Sequence, residues 1–129
     1  MRFDPHDLPE AARIFLAERH LASLTTSRAD GSAHVVPVGF TVDQVGVARI
    51  ITNDGSVKVR NASASGARGA LCQVAGRYWL TLEGPLRVSH DPAEIAVAVQ
   101  RYAGRYRQPR INPTRVAILM TVDRIMGNV

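Results

Sequence analysis

Apolar and polar positions alternate along much of the chain, and only three stretches shift to the three-to-four-residue spacing of a helix. The first opens at Asp7-Leu-Pro9-Glu10 and continues through Ala11-Ala-Arg-Ile-Phe-Leu16. An aspartate before the apolar run, a proline in the first turn and an acid at the third helical position predict a short N-terminal helix capped by Asp7. Residues 21–27 then read as a strand, Asp30-Gly31 supplies hairpin-turn chemistry, and a second strand follows over 34–42. A third strand over 45–52 ends at Asn53-Asp54-Gly55-Ser56, where Ser56 stands ready to cap a short helix reaching Ala64.

Residues 70–74 and 78–88 form a second antiparallel pair around Ala75-Gly76-Arg77. Asp91-Pro92-Ala93-Glu94 repeats the capping pattern and predicts a helix of about a dozen residues. A loop punctuated by Pro109 and Pro113 leads to a last strand over 116–122. The expected order is α-βββ-α-ββ-α-β, mainly β with inserted helices. Six mostly antiparallel strands exclude a doubly wound parallel sheet and favour an antiparallel barrel, which removes exposed edges and seats helices on its flanks.

Composition narrows the class. At 129 residues, 46% of them apolar and 21% charged, the chain suits a soluble globular protein, with residues 1–129 as one domain. Cys72 is alone and cannot close an intrachain disulfide; in the run Ala70-Leu-Cys-Gln-Val74 it reads as a buried core thiol. No apolar stretch approaches the ~18 residues of a membrane span, so the expectation is a cytoplasmic protein without a membrane partner. His6, His20, His34 and His90 lack metal-ligand spacing, and no metal site is expected.

A net charge of +5 favours an anionic partner without naming it. Arg101, Arg105, Arg107, Arg110 and Arg115 gather after the last helix, either as a solvated face complementing the helix dipole or as ligand contacts. Three phenylalanines, three tyrosines and one tryptophan make no basic stacking platform, which argues against nucleic acid. There is no Ser-His-Asp set, no paired-carboxylate motif and no phosphate-cradling glycine loop. Chemistry would then come from a bound cofactor, and no side chain is nominated as catalytic.

Lys58 is the single lysine among fifteen arginines. An ammonium meets one phosphate as a mobile point charge, and Arg49, Thr52, Ser56 and Asn61 around it offer charge and neutral hydrogen-bond groups. An ordinary exposed lysine is the alternative. Arg49, inside the apolar run Val45-Gly-Val-Ala-Arg-Ile-Ile51, is either an edge charge or a ligand contact. In the second strand, Val36, Val38, Phe40 and Val42 share a core face, while Val35, Pro37, Gly39 and Thr41 share the other. Proline and glycine two apart suit an edge strand, or a flat ring lying on bare backbone. Trp79 shares a face with Thr81 and Glu83, which fits a subunit interface, a stacking wall or core packing.

The chain resembles the split-barrel flavin and deazaflavin oxidoreductases related to pyridoxamine phosphate oxidase, and above all the actinobacterial branch that uses coenzyme F420 and includes biliverdin reductases. The likeness runs through Phe15-Leu-Ala-Glu-Arg-His-Leu-Ala22, His34-Val-Val-Pro-Val-Gly-Phe40, Ala48-Arg-Ile-Ile-Thr52, Ser56-Val-Lys58, Asn61, Leu71-Cys-Gln-Val74, Trp79-Leu-Thr-Leu-Glu-Gly84 and Arg101-Tyr102 through Arg105-Tyr-Arg107. It implies a homodimeric six-stranded antiparallel split β-barrel with cofactor at the subunit interface. By position, Arg49, Thr52, Ser56, Lys58 and Asn61 would hold the phosphate and tail, Pro37, Val38 and Gly39 would offer backbone to the ring, and Trp79 would lie near the pocket. Arg105, Arg107 or Arg110 would meet tail or substrate carboxylates. The implied activity is hydride transfer from F420 to a small conjugated acceptor, biliverdin first. An FMN-dependent enzyme and a non-catalytic cofactor-binding protein are the alternatives.

Overall fold

The alternating segments pair into one antiparallel sheet, and its order determines where the helices sit. In the computed structural model, which describes residues 1–129, the elements are β1 (Arg2–Phe3), α1 (Glu10–Ala17), β2 (Ala22–Ser27), β3 (Ala33–Val38), β4 (Thr41–Val42), β5 (Val47–Asn53), α2 (Val57–Ala62), β6 (Arg68–Ala75), β7 (Tyr78–Ser89), α3 (Pro92–Arg105), β8 (Arg115–Thr121) and β9 (Arg124–Asn128). The hydrogen-bonded path runs β3-β2-β6-β7-β8-β5-β4, with β9 also on β7 and β1 on β9. The bend lies along β7. Its first half pairs with β9, from Trp79↔Asn128 to Glu83↔Arg124, and its last residues pair with β8, from Leu86↔Met120 to Ser89↔Ala117. Gly84 marks the change of partner: a Cβ there would stand 1.9 Å from the Thr121 carbonyl oxygen, so only glycine lets the two backbones come this close.

Nine strands are present rather than six, and the path does not close, because β3 and β4 end it without pairing to each other. The expected closed barrel is therefore corrected to an open, bent antiparallel sheet. β1 has only two residues, β9 contains Gly127, and the expected strand over 34–42 is split at Gly39-Phe40. None of these carries a long alternation.

The fold of the sheet encloses a 20-residue apolar cluster that includes Leu24, Phe40, Ile50, Leu71, Leu80, Leu82, Ile118, Met120 and Ile125, and α1 adds Ala12, Phe15 and Leu16. Alternation along β5 sends Ala48 and Ile50 into this core, while Ile51 faces α3, whose Ala98 packs on Ala117 and Leu119. The opposite face of β3, β2, β6 and the start of β7 carries no helix. Cys72 lies there, half-buried rather than in the core, because it alternates with fully buried Leu71 and Gln73.

Helix starts divide in an instructive way. Asp91 caps α3, accepting from the Ala93 N–H at 3.1 Å. Asp7 does not cap α1: the helix begins at Glu10 behind an extended Pro9, and the Asp7 N–H closes a turn on the Asp4 carbonyl. Ser56 occupies the cap position of α2, yet its side chain makes no capping bond.

Beside the α3 cap, Arg87 holds Glu94 through bonds of 3.1 and 2.6 Å, and Ser89 Oγ donates to it at 2.6 Å. Arg87 first, then Ser89, lowers the Glu94 carboxyl from 4.5 to about 2. A depressed carboxyl stabilises the fold above its unfolded value and loses that effect as pH falls through the folded one. Thermal unfolding should therefore show this contribution disappearing between pH 4.5 and about pH 2, and Glu94→Gln should flatten the profile in that window.

Candidate cofactor site

The turn Asn53-Asp54-Gly55-Ser56 delivers the chain from β5 into α2, and the buried face of that short helix carries Val59, Asn61 and Ala62. Asn61 Nδ2 donates to Thr26 Oγ1 at 3.0 Å in a buried contact, pinning α2 to β2. Lys58 precedes Asn61 by three residues and so lies on the same side of the helix. It is half-buried, forms no ion pair, and burial pushes its ammonium below the ordinary lysine value. Ser56 Oγ is buried without a hydrogen-bond partner. The helix start thus has a buried donor hydroxyl and an ammonium, neither of them answered by the protein.

β3 carries a third unanswered group. His34 stands opposite Thr26 in the β2–β3 register, and its Nδ1 is buried without a partner. From the sequence, His34 stood at the start of the second strand and of one segment of the family likeness, with no binding role assigned to it. Its signal was parity: it alternates with Val36 and Val38 on the inward face, an odd place for an imidazole unless something meets it. A further partnerless atom, Thr41 Oγ1, lies opposite Arg49 and belongs to a different region.

The structure does not bring every expected residue to this place. Thr52 is half-buried opposite Val116, on the core-facing parity of β5 and just before the turn. Arg49, three residues earlier, has the opposite parity and bonds Asp43 at 2.7 Å, with the two side chains only 18% and 9% exposed. Burial raises the Asp43 carboxyl, but the Val47 N–H and Arg49 outweigh it and hold the group low. Arg49 thus braces the β4–β5 turn through Asp43 and stands on the opposite face of β5 from Thr52.

Arg105 is also occupied. Its Nη1 donates to the Phe40 carbonyl at 2.6 Å, Nη2 to Gln73 Oε1 at 2.6 Å and Nε to the Glu18 carbonyl at 2.9 Å, so all three of its nitrogens are engaged by the protein. Arg107 and Arg110 are exposed and their side chains are unpaired. Their loop is fastened to the entrance of α2, because Asp54 N–H donates to the Thr114 carbonyl at 2.8 Å and Asn112 bonds Asn53.

Pro37, Val38 and Gly39 form the end of β3. Pro37 is exposed, Val38 is 8% exposed, and Gly39 lies where the strand breaks. On the helix-free face, Pro37 lines a shallow groove of about 350 Å³ with Leu21, Ser23, Val35, Cys72 and Val74. Trp79 stands on that same face, opposite Val74 and Asn128, away from Lys58 within one chain.

Residues 8–127 match the family described as pyridoxamine 5'-phosphate oxidase. The chain belongs to this family. Among relatives, it is 51% identical over 122 residues to the F420H(2)-dependent biliverdin reductase of Mycobacterium tuberculosis (strain CDC 1551 / Oshkosh), spanning 94% of this chain and 88% of that protein. Two solved structures share its fold. An F420 reductase superposes with a TM-score of 0.75 at 23% identity, covering 92% of this chain and 98% of the other. HupZ of Group A Streptococcus superposes with a TM-score of 0.76 at 15% identity, covering 94% of each. The anion-ready atoms of Ser56, Lys58 and His34 fit a phosphate-bearing cofactor: a hydroxyl, an ammonium and an imidazole are the donors a phosphate needs.

Proposed function

We propose that this chain is a reductase that takes a hydride from reduced F420 and delivers it to biliverdin, forming bilirubin. The observation that carries the reading is the set of unanswered polar groups at the start of α2, in a chain 51% identical to a biliverdin reductase of that cofactor class. Ser56 Oγ, the Lys58 ammonium and His34 hold the phosphate. Thr52 and Asn61 fix the approach, Asn61 by keeping α2 seated on Thr26. The backbone of Pro37, Val38 and Gly39 is the platform for the ring. Arg107 and Arg110, exposed beside the α2 entrance, are free to meet the glutamate tail or the acceptor's carboxylates. When bound, the deazaflavin supplies the hydride, and a solvent proton completes the reduction, so the protein needs no acid of its own.

The helix-free sheet face is the surface for a second copy. Leu21, Val35 and Val74 are 60%, 56% and 59% exposed there, among small neighbours such as Ser23 and Cys72. A twofold partner would cover these residues and bring Trp79 of one subunit toward the groove of the other. Val74→Glu should convert a dimer to monomer by light scattering and weaken F420 binding with it. No helix is long and apolar enough to cross a membrane, and a cytoplasmic location is part of the same reading.

Titration of the purified protein with reduced F420 and biliverdin tests the assignment. Equimolar consumption of both with bilirubin formed supports it. Tight F420 binding without biliverdin turnover would remove the acceptor, and binding of FMN in place of F420 would remove the cofactor.

A further inference from the structure

We infer that the last turn of α3 is a positioning device for hydride transfer: Tyr102, Arg105 and Tyr106 set the backbone of Gly39 and Phe40, and through it the platform on which the cofactor ring lies. The inference rests on the reading of residues 37–39 as that platform.

The need for such a device follows from the strand break. β3 ends at Val38 and β4 resumes at Thr41, so Gly39 and Phe40 sit in a gap between the two ends of the sheet path. Buried backbone groups there must find partners elsewhere. The Phe40 N–H donates to the Tyr106 hydroxyl at 3.2 Å, and that hydroxyl donates its own proton to the His20 carbonyl at 2.6 Å. Arg105 Nη1 donates to the Phe40 carbonyl at 2.6 Å while its guanidinium lies 4.7 Å from the Phe40 ring centroid. Both polar groups of one residue are thus held by the last residue of α3 and the C-cap that follows it.

Gly39 is held by shape. The Tyr102 and Tyr106 rings pack 4.9 Å apart, and a Cβ on Gly39 would meet Tyr102 at 2.9 Å and Tyr106 at 3.2 Å. The rings therefore form a wall directly behind the end of the platform. Arg105 is itself fixed: Gln73, fully buried, accepts from it at 2.6 Å and donates to the Phe15 carbonyl at 2.7 Å, and Arg105 Nε reaches the Glu18 carbonyl. The wall is thereby braced against both α1 and β6. Hydride transfer depends steeply on distance and alignment, so a displacement of a few tenths of an ångström at Gly39 should register in the rate while the phosphate, held at α2, keeps the affinity.

The test uses Tyr106→Phe, Gly39→Ala, Tyr102→Leu and the double variant Gly39→Ala/Tyr102→Leu, each first checked for cooperative thermal unfolding. Three quantities are read: the F420 dissociation constant by fluorescence, the absorption band of the bound cofactor, and the single-turnover rate with biliverdin. Tyr106→Phe is expected to keep the dissociation constant within about threefold, shift the band and slow the single turnover about tenfold. Gly39→Ala is expected to do the same, and removal of the Tyr102 ring in the double variant should recover about threefold of the lost rate by giving the new methyl room. If Tyr106→Phe does not fold, Tyr102→Leu, which removes no hydrogen bond, must shift band and rate on its own. A changed band and rate in Gly39→Ala with neither changed in Tyr106→Phe or Tyr102→Leu would overturn the positioning role and leave the platform standing. No change in any variant would place the ring elsewhere and overturn both.

Discussion

Lys58→Ala is expected to weaken F420 binding by about 1.5–3 kcal/mol, the scale of a hydrogen bond to a charged group, or roughly ten- to a hundredfold in the dissociation constant. The size of the effect follows from what surrounds the ammonium. It is half-buried, no carboxylate pairs with it, and burial already lowers its proton affinity. In the free protein the group is therefore poorly compensated, and a phosphate would supply the missing counter-charge. Two further results follow. Affinity should fall as pH rises through the Lys58 value, which lies below 10.5, because the ammonium is lost there. Conversely, the fold itself should gain slightly over the same interval, since the unfolded chain holds that proton more tightly than the native one. Lys58→Arg should recover only part of the affinity, a planar fork being a poor substitute for a compact ammonium. Fluorescence titration of F420 against each variant measures all of this, and undiminished affinity in Lys58→Ala would place the phosphate elsewhere.

Arg105→Ala should cost about 3–5 kcal/mol of stability, the largest loss expected from any charged residue in the chain. Removing the guanidinium strands Gln73 Oε1, in a residue with no solvent exposure, and takes a donor from the carbonyls of Phe40 and Glu18. A buried acceptor left without its donor carries its whole desolvation cost. Arg105→Lys should recover less than half, because one ammonium cannot reach three acceptors in different directions. Arg68→Ala is the control. Its ion pair with Asp123 is bidentate at 2.7 and 2.8 Å, yet both side chains are about half exposed and screened by solvent, so the loss should be far smaller than for Arg105→Ala. Urea unfolding of the three variants separates these values.

Local signals in the sequence were dependable where the chemistry was local. Asp91 before Pro92 and Glu94 predicted the start of α3, and the Asp30-Gly31 turn predicted the β2–β3 hairpin. The same reasoning failed at Asp7, where the neighbouring Asp4 draws the aspartate N–H into a separate turn. β1, too short to alternate, left no periodic trace, the break that separates β4 from β3 was hidden inside one continuous alternation, and an open path with two unpaired ends depends on long-range pairing that no window of sequence contains.

The candidate site divides along the same line. Ser56, Lys58 and Asn61 could be grouped from sequence because one short helix and its cap position carry them. Arg49 was grouped with them by nearness in sequence, whereas the two-residue period of a strand sends positions 49 and 52 to opposite faces. Arg105 was read as part of a basic cluster, and only the fold reveals that carbonyls from α1 and the β3–β4 gap converge on it. His34 received no role for the converse reason: it was quoted as the first residue of a longer segment, and its significance is the empty hydrogen-bonding capacity of a nitrogen opposite Thr26.

β7 pairs with β6 along 78–85, with β9 along 79–83 and with β8 along 86–89, so it is common property of the two halves of the bent sheet. Neither half can peel away and leave the other intact, since each would strip the same strand of its ladder. The protein should accordingly melt as a single cooperative body, and the amides of this strand should be the last to exchange with deuterated solvent.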